Sequence, residues 1–251
     1  MPPTTLVAFD LDDTLAPSKA PIDPRIGQLL IELAGRVTVA IISGGQFGQF
    51  QTQVIDRLPQ TSAQTLEQFH LLPTCGTQYY RLTPEGVHTV YAHELSADEK
   101  QRALAAVEEE ARRLGLWEAE PWGDILEDRG SQITFSALGQ RAPLEAKVAW
   151  DPSGEKKNRL REAVAARIPD LEVRSGGSTS VDITHLGIDK SYGMRKLSEQ
   201  TGIPLENMLF IGDRLDPAGN DYPVLAMGVR CHAVESWEET AAYLDQLIPT
   251  L

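Results

Sequence analysis

Cysteine is scarce: only Cys75 and Cys231 stand in a chain of 251 residues. They lie far apart and fit no metal-ligand spacing, so a reduced, cytoplasmic setting is expected. Positive charge is also short. Against 36 acidic residues there are 23 Lys and Arg, leaving a net charge of -13. A nucleic-acid partner would need a basic face, and this balance argues against one. An acidic chain that binds phosphate must offset the repulsion with a metal or with local donors. No secretory signal is expected at the start, because "MPPTTLVAFD" lacks a basic opening and its apolar run is too short. Residues 37–55 carry no charge, yet they hold four glutamines and three glycines, so no membrane span is expected there. Internal repeats and low-complexity tracts are absent. What remains is ordinary for a soluble globular protein, at 41% hydrophobic and 24% charged residues, with length for one large domain or two modest ones.

Two apolar, β-rich runs, "TLVAFD" (5–10) and "VTVAII" (37–42), each precede or follow a segment of helical spacing: "PRIGQLLIELAGR" between them and "QFGQFQTQVIDRL" after the second. Continuous rather than alternating apolar strands predict a parallel sheet covered on both faces. The pattern returns late in the chain with "NMLFIGD" and "GVRCHAV" as strands. "KSYGMRKLSEQTG" precedes them, and "SWEETAAYLDQLI" closes the chain behind a Ser236/Glu239 capping box. The middle differs. "QYYRLTPEGVHTVYAH" reads as an antiparallel hairpin, "SADEKQRALAAVEEEARRLG" as an amphipathic helix with a Ser96/Glu99 box, and "GEKKNRLREAVAARIP" as a second helix. "SQITFSAL" and "TSVDIT" alternate as strands of a half-exposed sheet do. The fold expectation is α/β: a doubly wound parallel-sheet core (1–82 and 187–251) interrupted by a smaller antiparallel α+β cap domain (83–186).

The stretch "VAFDLDDTLAPS" places Asp10, Asp12 and Asp13 directly after a buried strand, where each carboxylate makes its neighbours harder to ionise. A positive partner is required. Four segments fall at strand ends or helix starts, where open α/β sheets gather ligands. Asp10, Asp12 and Thr14 follow the first strand; Ser43 and Gly44 follow the second in "AIISGG"; Lys190 opens a helix in "GIDKSYG"; Asp213, Asn220 and Asp221 lie in "LFIGDRLDPAGND". Taken singly, each is ordinary turn or surface chemistry. In this order they point to Mg²⁺, which prefers hard oxygen ligands, and to a phosphoryl group, which suits Ser, backbone N–H groups and a Lys point charge.

These four segments resemble the motifs of the haloacid dehalogenase (HAD) superfamily, DxDx(T/V), Ser/Thr, Lys and GD…D, and the inserted module resembles its type IIB cap group. Within that group the chain is most similar to the eukaryotic-type phosphomannomutase family: "GDRLDPAGND" keeps its GD-x₆-ND spacing and "SGGSTSVDIT" mirrors its cap segment GG-x₂-S-x-D. The resemblance implies that Asp10 is the nucleophile and a direct Mg²⁺ ligand. It makes Asp12 the general acid and base, its backbone carbonyl completing the metal shell. Asp213 becomes the remaining carboxylate ligand, and Asp221 and Asn220 orient the loop. Ser43, Gly44 and Lys190 would hold the phosphoryl group. Asp13 stands where the family has Gly and reads as a turn residue. In the cap, Arg129, Ser136, Gln140, Ser178, Ser180 and Asp182 are candidates for gripping the far end of a substrate. Gln140 stands where the family has Arg. Arg141, its neighbour, is a further candidate that would substitute for that Arg, although adjacent residues on a strand point to opposite faces.

The function expected is therefore Mg²⁺-dependent phosphoryl transfer on a small phosphorylated sugar through an aspartyl-phosphate. Water as acceptor makes it a phosphatase, the favoured outcome; a second sugar phosphate makes it a phosphomannomutase-like isomerase. A rival of another class is a non-enzymatic phospho-acceptor resembling a response-regulator receiver, against which stand the length, the cap and Asp12. The expected partner is the sugar phosphate, with no nucleic acid and no membrane, on a monomer or homodimer.

Overall fold

A computed structural model describes residues 2–251. The chain opens with β1 (Leu6–Phe9), every residue of which is buried, as a strand covered on both faces must be. In α1 (Pro24–Ala34), Pro24 takes the first turn, where its missing N–H costs nothing, and Asp23 caps the helix by accepting from the Arg25 N–H. Its buried face is Ile26, Leu29, Leu30 and Leu33, one stripe at helical spacing. There follow β2 (Thr38–Ile42), α2 (Phe47–Gln53), α3 (Ala63–Leu66), β3 (Phe69–Leu72), β4 (Gln78–Thr83) and β5 (Gly86–Ala92).

A separate compact unit spans His93–Ile188. It contains α4 (Ala97–Arg113), β6 (Leu126–Asp128), β7 (Ile133–Ser136), α5 (Leu144–Trp150), α6 (Glu155–Arg167), β8 (Leu171–Ser175) and β9 (Ser180–His185). The capping box at α4 forms as expected: the Glu99 N–H donates to Ser96 Oγ and the Ser96 N–H to Glu99 Oε2, at 3.3 and 2.7 Å. The sheet is antiparallel in the order β6-β7-β9-β8. One face packs Ile133, Phe135, Val181 and Ile183 against Val107, Leu160 and Val164 of the helices. Alternation then sends Thr134, Ser136, Ser180 and Asp182 to the other face.

After that unit come α7 (Lys190–Thr201), β10 (Met208–Gly212), α8 (Tyr222–Ala226), β11 (Arg230–Ala233) and α9 (Trp237–Leu247). Together with the residues up to Ala92 they form the first unit, a seven-stranded sheet ordered β11-β10-β1-β2-β3-β4-β5. Its first five strands are parallel and the last two turn antiparallel. From β1 the chain winds outward to β2 and later returns on the other side to β10. The strand order thus reverses at β1, and a crevice opens beyond the carboxyl ends of β1 and β10.

Three expectations change. The hairpin at residues 78–92 extends the core sheet, so the first unit runs to Ala92 rather than ending near 82, and resumes at Asp189. The reason is burial on both faces of β4: Tyr79 packs with Leu72, Met194 and Phe210, while Leu82 joins the opposite cluster with Phe69 and Leu71. The Ser236/Glu239 box does not form, because Ser236 makes no side-chain cap bond and Glu239 Oε2 accepts the Glu235 N–H instead, at 2.8 Å. And β7 ends at Ser136, with residues 137–142 in turns, so strand alternation does not govern where Arg141 points relative to Gln140.

Candidate active site

At the crevice, the Asp10 N–H still belongs to the sheet, donating to the Ile211 carbonyl at 3.0 Å, while its side chain leaves the strand end. Lys190 is the first residue of α7, whose N-cap Asp189 accepts from the Ser191 and Tyr192 N–H groups. Its ammonium lies 2.6 Å from Asp10 Oδ1 and 2.6 Å from Asp221 Oδ1. Asp221 is completely buried, Lys190 is 1% exposed and Asp10 4%. The second Asp221 oxygen accepts the Arg214 N–H at 3.0 Å, and the Asp221 N–H returns a bond to the Arg214 carbonyl at 3.1 Å. Asp221 therefore closes the loop after β10 on itself. That loop needs glycine twice: a Cβ on Gly219 would lie 1.9 Å from the Arg214 oxygen, and one on Gly212 2.4 Å from Asp221 Oδ2. Asp213 joins the cluster from the end of β10, where its Oδ1 accepts from the Thr14 hydroxyl at 3.3 Å.

Asp10, Asp213 and Asp221 each bring a carboxylate oxygen within 4.8 Å of the others. Three carboxylates face one ammonium, which leaves an excess of negative charge in a buried place. Burial pushes the Asp10 pKa well above the ordinary range, Lys190 offsets part of this, and Asp221 and Asp213 add to it. Burial and Asp221 raise Asp213 likewise. Burial works to lower the Lys190 pKa, but Asp10 and Asp221 outweigh it and hold the ammonium charged. The donor set, all hard oxygens with uncompensated charge, fits a divalent cation such as Mg²⁺.

A pH dependence follows. With folded-state pKa values above their unfolded values, Asp10 and Asp213 bind more protons in the folded protein, so stability falls as pH rises through that window. The melting temperature of chelated protein is expected to drop as pH rises above the ordinary carboxylate range, and Mg²⁺ to raise it most at the upper end of that rise, where no proton competes. Thermal melts with and without chelator test this; parallel flat profiles would contradict it.

Asp12 lies outside the carboxylate cluster. Its Oδ1 accepts the Lys19 N–H at 2.7 Å and Gln53 Nε2 at 3.4 Å. Asp13 adopts φ 63°, in the left-handed region where Gly or Asp is tolerated, which suits a turn residue. Ser43 is buried just after β2, its Oγ accepting the Gly45 N–H at 3.0 Å, and Gly44 has open space where a Cβ would stand. Asn220 is exposed in the loop that Asp221 closes.

In the second unit the register lines up Glu127, Thr134, Asp182 and Arg174 across the sheet face opposite the helices, with Ser136 opposite Ser180 beside them. The Ser136 and Ser180 hydroxyl oxygens are 3.3 Å apart, and Thr134 donates to Asp182 at 2.7 Å. Burial raises the Asp182 pKa, and Arg129 and the Thr134 bond work against it. Arg129 pairs with Glu127 at 2.6 Å, its side chain only 8% exposed. Gln140, Arg141 and Ser178 lie off the strands: Gln140 is held through its N–H to the Asp124 carbonyl, and Arg141 and Ser178 are exposed. Lys19, Gln53 and the Arg214 N–H escaped the reading of the sequence. Lys19 takes part through its backbone, and Gln53 stands in an uncharged, glutamine-rich run with no local mark.

A family model described as eukaryotic phosphomannomutase matches residues 26–250. The chain is similar to phosphomannomutase of Saccharomyces cerevisiae, 25% identical across 98% of this chain and 94% of the yeast protein. It is also similar to phosphomannomutase 1 of Homo sapiens, 25% identical across 88% and 83%. Among solved structures, an IMP-nucleotidase of Plasmodium falciparum superposes with TM-score 0.74 over 98% of this chain and 70% of that one, at 17% identity. A haloacid dehalogenase-like hydrolase from Bacteroides thetaiotaomicron gives 0.63 over 97% and 99%, at 15% identity. Those two likenesses show the fold, a HAD core with a cap. With the crevice carboxylates and Lys190 in place and the family model matching from α1 to the last helix, the chain belongs to the eukaryotic phosphomannomutase family of the HAD superfamily and is an enzyme of the phosphoryl-transfer type.

Proposed function

We propose that the protein transfers the phosphoryl group of a small phosphorylated sugar to Asp10 and then to water, acting as a sugar-phosphate phosphatase. The observation that carries the chemistry is the Asp10–Lys190–Asp221 arrangement with Asp213 at its side. Asp10 attacks phosphorus, the bond to the sugar oxygen breaks, and Asp12 gives that oxygen a proton. Asp12 then takes a proton from water, whose oxygen attacks the aspartyl-phosphate, releasing phosphate and restoring the Asp10 carboxylate. Ser43, the Gly44 N–H and Lys190 hold the transferring oxygens. Asp10 and Asp213, with the Asp12 carbonyl, would hold Mg²⁺, which supplies charge neutralisation at the phosphoryl oxygens. Asp221, with one oxygen on Lys190 and the other on the Arg214 N–H, supports the lysine and the loop.

Hydrolysis is favoured over isomerisation by the charge pairing on the sheet face of the second unit opposite its helices. A mutase must hold a second phosphate while the first reacts, for which a fork of Arg donors is suited. Here Arg129 is committed to Glu127, Arg174 lies 3.5 Å from Glu172, and Asp182 stands in the same row. Both arginines thus face carboxylates of their own sheet, which weakens their grip on a second phosphate, while Ser136, Ser180 and Asp182 suit sugar hydroxyls. The family match favours the second reading, a phosphomannomutase-like isomerase. A panel of hexose phosphates with Mg²⁺, with and without a sugar bisphosphate, separates them when free phosphate and the isomeric mannose phosphate are followed together. Phosphate release that outruns isomer formation is expected; bisphosphate-dependent isomerisation that outruns phosphate release would establish the mutase.

A further inference from the structure

We infer that Gln53 is a positioning residue for Asp12, fixing both its carboxylate and the loop that carries it. Gln53 ends α2, is 2% exposed, and has no role in binding metal or phosphate in the mechanism above. Its Nε2 donates to the Ala20 carbonyl at 2.9 Å and to Asp12 Oδ1 at 3.4 Å. Its own carbonyl accepts the Ile22 N–H at 2.9 Å. Both ends of one residue thus grip the segment that runs from Asp12 to Ile22.

The amide can sit only one way round. Turned over, its oxygen would face two oxygen acceptors, so the partners dictate which atom is nitrogen. In this orientation Oε1 is buried and finds no hydrogen-bond partner among the described residues. A buried orphan of this kind is costly, and a methionine of similar shape would avoid that cost. The side chain is therefore retained for its two N–H donors.

The loop itself gives those donors their use. It folds back so that the Lys19 N–H meets the same Asp12 oxygen, with Asp13 and Lys19 both in left-handed conformations, φ 63° and 61°. Lys19 and Asp12 belong to one loop and cannot fix each other relative to the sheet. Gln53, anchored on α2, ties that loop down at Ala20 and Ile22 and adds a contact to the carboxylate. Both donors end on Oδ1, which reserves Oδ2 for proton transfer.

The inference rests on the reading of Asp12 as the general acid, and the test separates the two. Rates of Asp12→Ala, Gln53→Met and the double variant are measured on a sugar phosphate, whose alkoxide needs a proton to leave, and on an activated aryl phosphate, whose phenolate does not. Thermal melts check folding, and Gln53→Leu, an uncharged side chain that also lacks the amide donors, replaces Gln53→Met if that variant does not fold. Displacing the carboxylate by about 1 Å should cost Gln53→Met up to ~100-fold on the sugar phosphate. The aryl phosphate should lose several-fold at most, and the double variant should lose no more than Asp12→Ala alone. A merely structural role would slow both substrates equally. If Asp12→Ala shows the leaving-group split and Gln53→Met does not, the positioning role is overturned while the general acid stands. If Asp12→Ala itself shows no split, both are overturned.

Discussion

Asp10→Asn is expected to abolish turnover and leave the protein folded. The substitution keeps the size of the side chain and its place at the end of β1, but it removes the nucleophile and one charge of the cluster around Lys190. Loss of one general acid or base typically costs a factor of about 10²–10⁴, and loss of a nucleophile that also carries metal charge should exceed it. The fold should hold, because Asn fills the same space, its amide oxygen can still accept from Lys190, and Asp221 remains as the charged partner of that lysine. Steady-state rates on the best sugar phosphate and a thermal melt check both halves. A variant that kept a tenth of the wild-type rate would exclude Asp10 as nucleophile.

Lys190→Met is expected to lose both activity and stability. The ammonium lies 2.6 Å from both Asp10 and Asp221, and the methionine leaves two carboxylates buried without it. Breaking a buried ion pair from one side costs roughly 3–5 kcal/mol, since the remaining charge cannot return to water. Asp10, which burial already holds above the ordinary carboxylate range, escapes part of that cost by taking up a proton, so the stability deficit should grow as pH rises through its raised range. Adding Asp221→Asn to Lys190→Met removes one stranded charge and should recover part of the stability while recovering no activity. Denaturant melts of the two single variants and the double variant give this as a coupling. Purely additive losses would mean that the Lys190–Asp221 contact does not hold the site.

The two variants act on charges whose positions were readable in the sequence, because strand-end carboxylates and a helix-start lysine carry local marks. Continuous apolar runs gave away β1 and β2, and the Ser96/Glu99 spacing marked the start of α4. What was not legible depended on partners remote in sequence. Alternation in residues 78–92 reports a hairpin but not which sheet it joins; that was decided by Tyr79 and Leu82 finding separate clusters on the two faces. Four-residue β3 and three-residue β6 are too short to show a period. Thr14 meets Asp213 across 199 residues and Gln53 meets Asp12 across 41, and no spacing rule spans either gap. On the sheet face of the second unit, nothing in the sequence marked Glu127 as the partner of Arg129.

A single-turnover quench tests the phosphoryl-transfer mechanism most directly. Enzyme in excess over a labelled hexose phosphate, with Mg²⁺, is stopped in acid at successive times and the protein-bound label is mapped. Label should accumulate on the peptide that carries Asp10, be released by hydroxylamine as an acyl phosphate is, and decay at the rate at which inorganic phosphate appears. Phosphate released with no protein-bound label under conditions that trap an acyl phosphate, or label found on any other residue, would contradict transfer through Asp10.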